Sequence, residues 1–272
     1  MSELQQQSVI TLKYLDIKGV AEPIRLALFI GGVPFADERV SYEDVAAMRD
    51  GGSSVSPTGQ VPILTVDGVP FSQSCAILRY VGRMTGLYPE GLRQLRVDMI
   101  EETLKDLRAA FVPLWYRNCM CRNPRSGELP PGTALTDQQV AEALKLVNDD
   151  YVPARLAQIE SLLASSSGLR GLEHRGGGGG GGEEAAASSS ASTNVGGPFV
   201  CGEDISIADL SLYVMLAGLT STDPNEASYC PGVDGAKAKE ALRGFPRITA
   251  LLAAVASHPK VAEWNTTKYR QQ

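Results

Sequence analysis

Four short features of this 272-residue chain carry residue types that could do chemistry. Tyr14 stands near the end of an apolar, β-branched run, Val9 to Leu15, that reads as a buried strand. A phenol with an ordinary pKa near 10 keeps its proton at neutral pH and can donate a hydrogen bond to an anion. Val61-Pro62 lies directly before another strand-like run. Gln73-Ser74 opens a helical pattern, where the first N–H groups lack partners and the dipole is positive, a ready seat for a carboxylate. The same serine also suits a plain N-cap. Ser206-Ile-Ala-Asp209 fits a capping box, whose work is folding rather than catalysis.

The elements that must position these residues follow from apolar spacing. After the first strand, Pro23 opens a helical run to Ile30, ended by Gly31-Gly32. A strand is expected over Ala36 to Val40 and a short helix over Tyr42 to Arg49. Gly51 to Gly59 is a loop by composition. Asp67-Gly68 between two apolar runs is a hairpin signal, and Ile77, Leu78, Val81 and Met84 mark a helix from Ser74 to Gly86. The order is β-α-β-α-β-β-α. From Leu92 onward the spacing is helical: a long helix to about Cys119 with a disturbance at Pro113, a second from Thr136 to about Leu163 bent near Pro153, and others from Ser206 and over Pro246 to Ala256. The division expected is an α/β domain over 1–88 and an all-α domain over 92–272. Within the second, 165–197 holds seven consecutive glycines, Gly176 to Gly182, and reads as a flexible insertion that cannot bury enough apolar surface to offset its ordering entropy.

The formal net charge is −6, which argues against nucleic acid or an anionic membrane as the main partner, since both reward a basic face. The five cysteines, Cys75, Cys119, Cys121, Cys201 and Cys230, form no CxxC pair and no disulfide framework, so reduced thiols are expected. The polar start MSELQQQSVI has no signal-peptide core, and no apolar run reaches membrane-spanning length, so the expected location is the cytoplasm.

Taken in order, YLDIKGVAEPIRLAL, GQVPILTVDG, FSQSCAILRYVGR, QLRVDMIEETLKDLR and FVCGEDISIADL followed by FPRITALLAAVASHPKVAEW resemble the cytosolic glutathione transferases of the tyrosine type. The resemblance spans both domains except 123–135 and 165–197 and is sigma-like or mixed among sigma, mu, alpha and pi. It implies a thioredoxin-like βαβαββα domain (α+β) followed by an all-helical domain, a homodimer, glutathione as co-substrate and no metal. It also implies an enzyme that adds the glutathione thiolate to a hydrophobic electrophile, a detoxification chemistry.

The resemblance implies residue roles too. Tyr14 would donate a hydrogen bond to the sulfur and stabilise the thiolate. A free thiol with a pKa near 8.5 is only a few per cent ionised at pH 7. Pro62 would be cis and turn the Val61 backbone toward the cysteinyl part of glutathione. Gln73 and Ser74 would hold the γ-glutamyl end, Gln60 and Lys18 would assist, and Arg49 would pair with the glycyl carboxylate. Asp106 of the partner subunit would take the ammonium group. Leu15, Arg108, Phe111, Val112 and Trp115 would line the second-substrate pocket.

The chain also departs from the pattern. Lys18 stands where many members have arginine, Val20 where several classes have a second arginine near the sulfur, and no tryptophan is found near Tyr42 to Val45. Two other functions remain open: a glutathione-dependent isomerase of the prostaglandin-synthase kind using the same thiolate, and a non-catalytic glutathione-binding or structural relative.

Overall fold

The computed structural model describes residues 8–50, 56–110, 136–165, 197–221 and 233–267. The first part is a four-stranded mixed sheet with helices packed on it. Strand β1 (Ile10–Leu15) is central. It pairs in parallel with β2 (Ala36–Val40) and antiparallel with β3 (Ile63–Val66), and β3 pairs antiparallel with β4 (Val69–Ser72), giving the order β2-β1-β3-β4. Ile10, Leu12 and Tyr14 alternate onto the buried face, as the period of a strand requires. The β3-β4 turn holds Asp67 at φ 49° and Gly68 at φ 84°, the left-handed pair a two-residue hairpin uses.

Helix α1 (Glu22–Ile30) follows a single 3-10 turn at Gly19–Ala21, α2 (Tyr42–Asp50) connects β2 to the loop before β3, and α3 (Ser74–Thr85) packs on α1. The remaining described elements are all helical: α4 (Gly91–Ala109), α5 (Asp137–Leu146), α6 (Val152–Ala164), α7 (Ile207–Thr220), α8 (Gly235–Leu242), α9 (Pro246–Ser257) and α10 (Pro259–Thr267). The long helix expected to reach Cys119 is described to Ala109, and its Pro113 lies outside the described residues.

The expected bend near Pro153 takes a particular form. A π-helical turn at Val147–Tyr151 separates α5 from α6, and the Val152 N–H reaches back five residues to the Val147 carbonyl. Pro153 has no N–H and its ring crowds the carbonyl four residues earlier, so one widened turn absorbs the mismatch. The sequence pattern announces neither α8, which has only eight residues behind an Asp234 cap, nor the break that makes α10 a separate helix after His258.

Helix α7 is the hub of the helical part. Leu210, Leu212, Leu216 and Leu219 are buried, the helix packs against α1, α4, α8 and α9, and its first turn faces the sheet-bearing part. There the Ile207 N–H donates to the Leu87 carbonyl at 2.9 Å, and a Cβ added at Gly82 of α3 would meet Ile207 at 2.7 Å, so this crossing needs glycine. The cap is the expected box: the Asp209 carboxylate accepts from the Ser206 N–H (2.7 Å), the Ser206 hydroxyl (2.6 Å) and the Val200 N–H (2.7 Å), all buried. Burial pushes the Asp209 carboxyl up to about 6, against the pull of those three donors.

The two parts are also tied at the far end of the chain. Trp264 of α10 is fully buried against Phe29 and Phe35, and its indole N–H donates to Glu22 of α1 at 2.7 Å.

Candidate functional site

The site is built from the turn that follows β1. Arg25, on α1, is fully buried and organises it. Its guanidinium donates to the Ile17 and Lys18 carbonyls (3.0 and 3.2 Å), to Glu22 (3.1 Å) and to Asp37 of β2 (2.9 Å). Those bonds fix the chain as it leaves the strand and bring Gly19, at φ 44°, under the Tyr14 ring. The Tyr14 side chain is 4% exposed and the Arg25 guanidinium lies 5.7 Å from its ring centre. Burial raises the phenol pKa, and the Val20 backbone N–H and the positive charge of Arg25 only partly offset this. Tyr14 therefore remains a protonated donor at neutral pH.

Gly19 is a tight point. A Cβ there would lie 2.5 Å from the Tyr14 oxygen, in a conformation that side chains with a Cβ rarely adopt. Gly19→Ala is expected to displace the phenol or strain the turn, at a cost of about 1–3 kcal/mol of stability. Denaturant unfolding checks it: unchanged stability contradicts the placement.

Across the sheet, the Val61–Pro62 peptide bond is cis and Pro62 is buried. The preceding loop is held by Ser56, which accepts from the Gln60 N–H (3.0 Å) and donates to the Gln60 carbonyl (2.8 Å). Gln73 has φ 78°, a left-handed value that costs a side-chain-bearing residue about 1 kcal/mol or more and that clusters at functional sites. It places Ser74 as the first residue of α3, on the wall of an interdomain cavity.

That cavity joins residues from both parts: Val20 and Pro23 before and in α1, Ser74, Cys75 and Leu78 of α3, Glu101, Leu104 and Arg108 of α4, and Ser211 and Met215 of α7. The positive charge of Arg108 reaches both Tyr14 and Glu101. Of the sequence-derived candidates, Ser74 and Arg108 line this cavity and the charge of Arg108 links it to Tyr14, while Val20, noted in the sequence as a departure, forms part of its wall. Leu15 ends β1, half-buried against the core. Lys18 instead lines a second small cavity with Glu22, Tyr213 and Asn265. Asp106 is exposed on α4. Arg49 falls in the last turn of α2 with its side chain outside the described residues, and Phe111, Val112 and Trp115 lie outside them altogether.

Sequence reasoning missed Arg25 and Glu101. Arg25 is read as one polar position of an amphipathic helix until the sheet buries it, and Glu101 as one of many charges on α4.

A sequence model described as the glutathione S-transferase N-terminal domain matches residues 10–83, and one described as the C-terminal domain of the same family matches 186–268. Together they match more than half of the chain. The chain belongs to the glutathione S-transferase family. A relative is glutathione S-transferase 1 of Ascaris suum, 40% identical over 103 residues, which are 38% of this chain and 48% of the relative. The chain thus spans about half the length of the curated relatives it matches. A crystal structure of a glutathione S-transferase from Ascaris lumbricoides superposes with a TM-score of 0.62 at 25% identity, covering 94% of this chain and 96% of that one. A prostaglandin synthase D of Nilaparvata lugens has the same fold, with a TM-score of 0.63 at 20% identity over 96% and 97% of the two chains. Among the described residues of this family member, no helix is long and apolar enough to cross a membrane.

Proposed function

We propose that this chain is a glutathione transferase of the tyrosine type, which ionises the thiol of bound glutathione beside Tyr14 and adds the thiolate to an electrophilic carbon of a hydrophobic substrate. The observation that carries the reading is the buried, protonated Tyr14 phenol, which accepts from the N–H of Val20, a residue that lines an interdomain cavity whose wall includes Ser74. Burial disfavours the phenolate, so the phenol is available as a donor, and a donor to the charged form of a thiol favours that form. The γ-glutamyl carboxylate takes Ser74 and the free N–H groups of α3, with Gln73 beside it. The Val61 backbone pairs with the cysteinyl residue, and Gln60 assists from the loop. Arg49 pairs with the glycyl carboxylate. The second substrate lies over Tyr14 between Leu15 and Arg108. The domains 1–88 and 92–272 supply the two halves of this site, which we place in the cytoplasm.

The reading is tested by following the ultraviolet absorbance of bound thiolate against pH. A bound thiol that titrates well below the free value of about 8.5 is expected. Binding with an unshifted thiol would move the chain to the non-catalytic class.

The active form proposed is a homodimer. Val69 and Phe71 of β4, Tyr80 and Met84 of α3, and Leu92, Leu95 and Met99 of α4 are exposed apolar side chains. Asp106 lies seven residues after Met99 and eleven after Leu95, on the same stripe of α4. A copy that covers this stripe therefore meets Asp106 and can place it against the partner's glutathione ammonium. Leu95→Lys is expected to give a monomer by sedimentation, with weaker glutathione binding. A fully dimeric variant would exclude this face.

A further inference from the structure

The cavity described above contains one group that thiol activation by Tyr14 does not use. Glu101 is 7% exposed, its Oε1 has no hydrogen-bond partner, and its other contact in the carboxyl group is with the Ser211 hydroxyl of α7. A buried carboxyl with an empty lone pair is costly unless something in the cavity serves it. The cavity has a volume of about 30 Å³. That is room for about two waters. Val20 forms part of its wall, and the Val20 N–H points at the Tyr14 oxygen, so the cavity and the sulfur seat share a boundary.

Among the described residues, Glu101 has no ion-pair partner. Arg79 of α3 faces it but is bound to Asp98 (2.8 Å) and Glu102 (3.3 Å). Arg108 and Asp98, on its own helix, act on it with opposite signs, Cys75 stands across the cavity on α3, and Ser211 is the group facing it from α7. Burial outweighs the favourable groups and pushes the Glu101 carboxyl up to about 7. It can therefore take or give a proton near neutral pH, where an ordinary carboxyl can only be ionised.

We propose that Glu101 holds the proton the glutathione thiol loses and returns it to the product when the electrophile is an α,β-unsaturated carbonyl compound. The assignment rests on the transferase reading above. When the thiol ionises, the S–H bond breaks, sulfur keeps the electron pair, and the proton passes through water in the cavity to a Glu101 oxygen. Attack of the thiolate on the β-carbon forms the C–S bond and moves the π pair of the alkene into an enolate. The enolate takes the proton back at its α-carbon, and the Glu101 carboxylate is ready for the next thiol. No proton is gained or lost over the cycle. Displacement of an aromatic halide differs, because the halide leaves with the electron pair, the product needs no proton, and Glu101 sheds the thiol proton to bulk water before the next cycle.

The experiment compares wild type with Glu101→Gln, which keeps the shape and a partner for Ser211, on two electrophiles: 4-phenylbut-3-en-2-one for addition and 1-chloro-2,4-dinitrobenzene for displacement. Turnover of the enone is expected to fall about 100-fold and to lose its dependence on pH near 7, with displacement falling by a clearly smaller factor because its product needs no returned proton. Equal losses on both substrates, or no loss on the enone, would overturn the assignment. Wild type inactive on both would instead overturn the transferase reading on which it rests. Independently of any electrophile, an indicator dye at pH 7.5 counts protons released on adding glutathione. Wild type is expected to release about half a proton per site fewer than the variant. Equal release overturns the proposal even if the variant is damaged kinetically.

Discussion

Replacing Tyr14 by phenylalanine is expected to lower kcat/KM for glutathione conjugation about 100-fold while glutathione still binds. The size follows from the thiol. A donor that moves its pKa down by about two units supplies roughly 2.7 kcal/mol, which is a factor of about 100 in the ionised fraction at a pH below both values. The rest of the site should persist, because the phenylalanine ring fills the same buried space under Arg25 and above Gly19. Among the described residues, the bond lost is that from the Val20 N–H to the phenol oxygen. A missing neutral bond of this kind is worth about 1 kcal/mol of stability. The expected signature is therefore an unchanged KM for glutathione, a reduced kcat, and a bound thiol titrating back near 8.5. A variant that keeps full activity at pH 6.5 would show that the thiolate is stabilised by another group, with the backbone N–H groups of the site the first to examine.

The largest effect on stability is expected from Asp209→Ala. The carboxylate satisfies two buried backbone N–H groups, those of Val200 and Ser206, and one hydroxyl. Each orphaned buried donor costs about 1–3 kcal/mol, and loss of a helix cap about another 1. A loss of about 3–7 kcal/mol is therefore expected in denaturant unfolding, with an earlier loss of the interdomain contacts that the first turn of α7 makes. The pH dependence has a definite sign. Burial holds the folded carboxyl at about 6, against 3.8 for the unfolded chain, so the folded state binds the proton more tightly between those values. Wild type thus loses stability relative to the alanine variant as pH rises from about 4 to 6, and the gap is constant above that. A gap that grows on going from pH 6 to 8, or one below about 1 kcal/mol at pH 7.5, is incompatible with the capping network described.

The contrast between Asp209 and Glu101 marks how far the sequence could be read. Ser206 and Asp209 are three apart beside an apolar run, and local spacing alone identifies the box. The hairpin at Asp67-Gly68 and the strand carrying Tyr14 are local in the same sense. Glu101 acquires its character from Ser211, 110 residues away, and from the closure of α3 and α7 over α4, none of which a window along the chain contains. Arg25 is similar. Its partners at Ile17, Lys18, Glu22 and Asp37 lie close in sequence, yet only the pairing of β2 with β1 makes its position interior. Helix α8 escaped notice because eight residues hold too little periodicity to stand out from their surroundings.

The bond from Trp264 to Glu22 joins residues 242 apart in the chain. Synthesis runs from the N-terminus at roughly 5–20 residues per second, so Glu22 waits on the order of 12–50 s for its indole. During that interval α1 carries a carboxylate and the ring of Phe29, and the segment after it the ring of Phe35, whose partner has not yet been made. The turn that sets Tyr14 in place is anchored by the same Glu22–Arg25 pair. A ribosome-bound chain stopped before residue 264 should therefore expose a sticky apolar patch on its first helix, which makes that patch the natural place for a holding chaperone to grip the nascent protein.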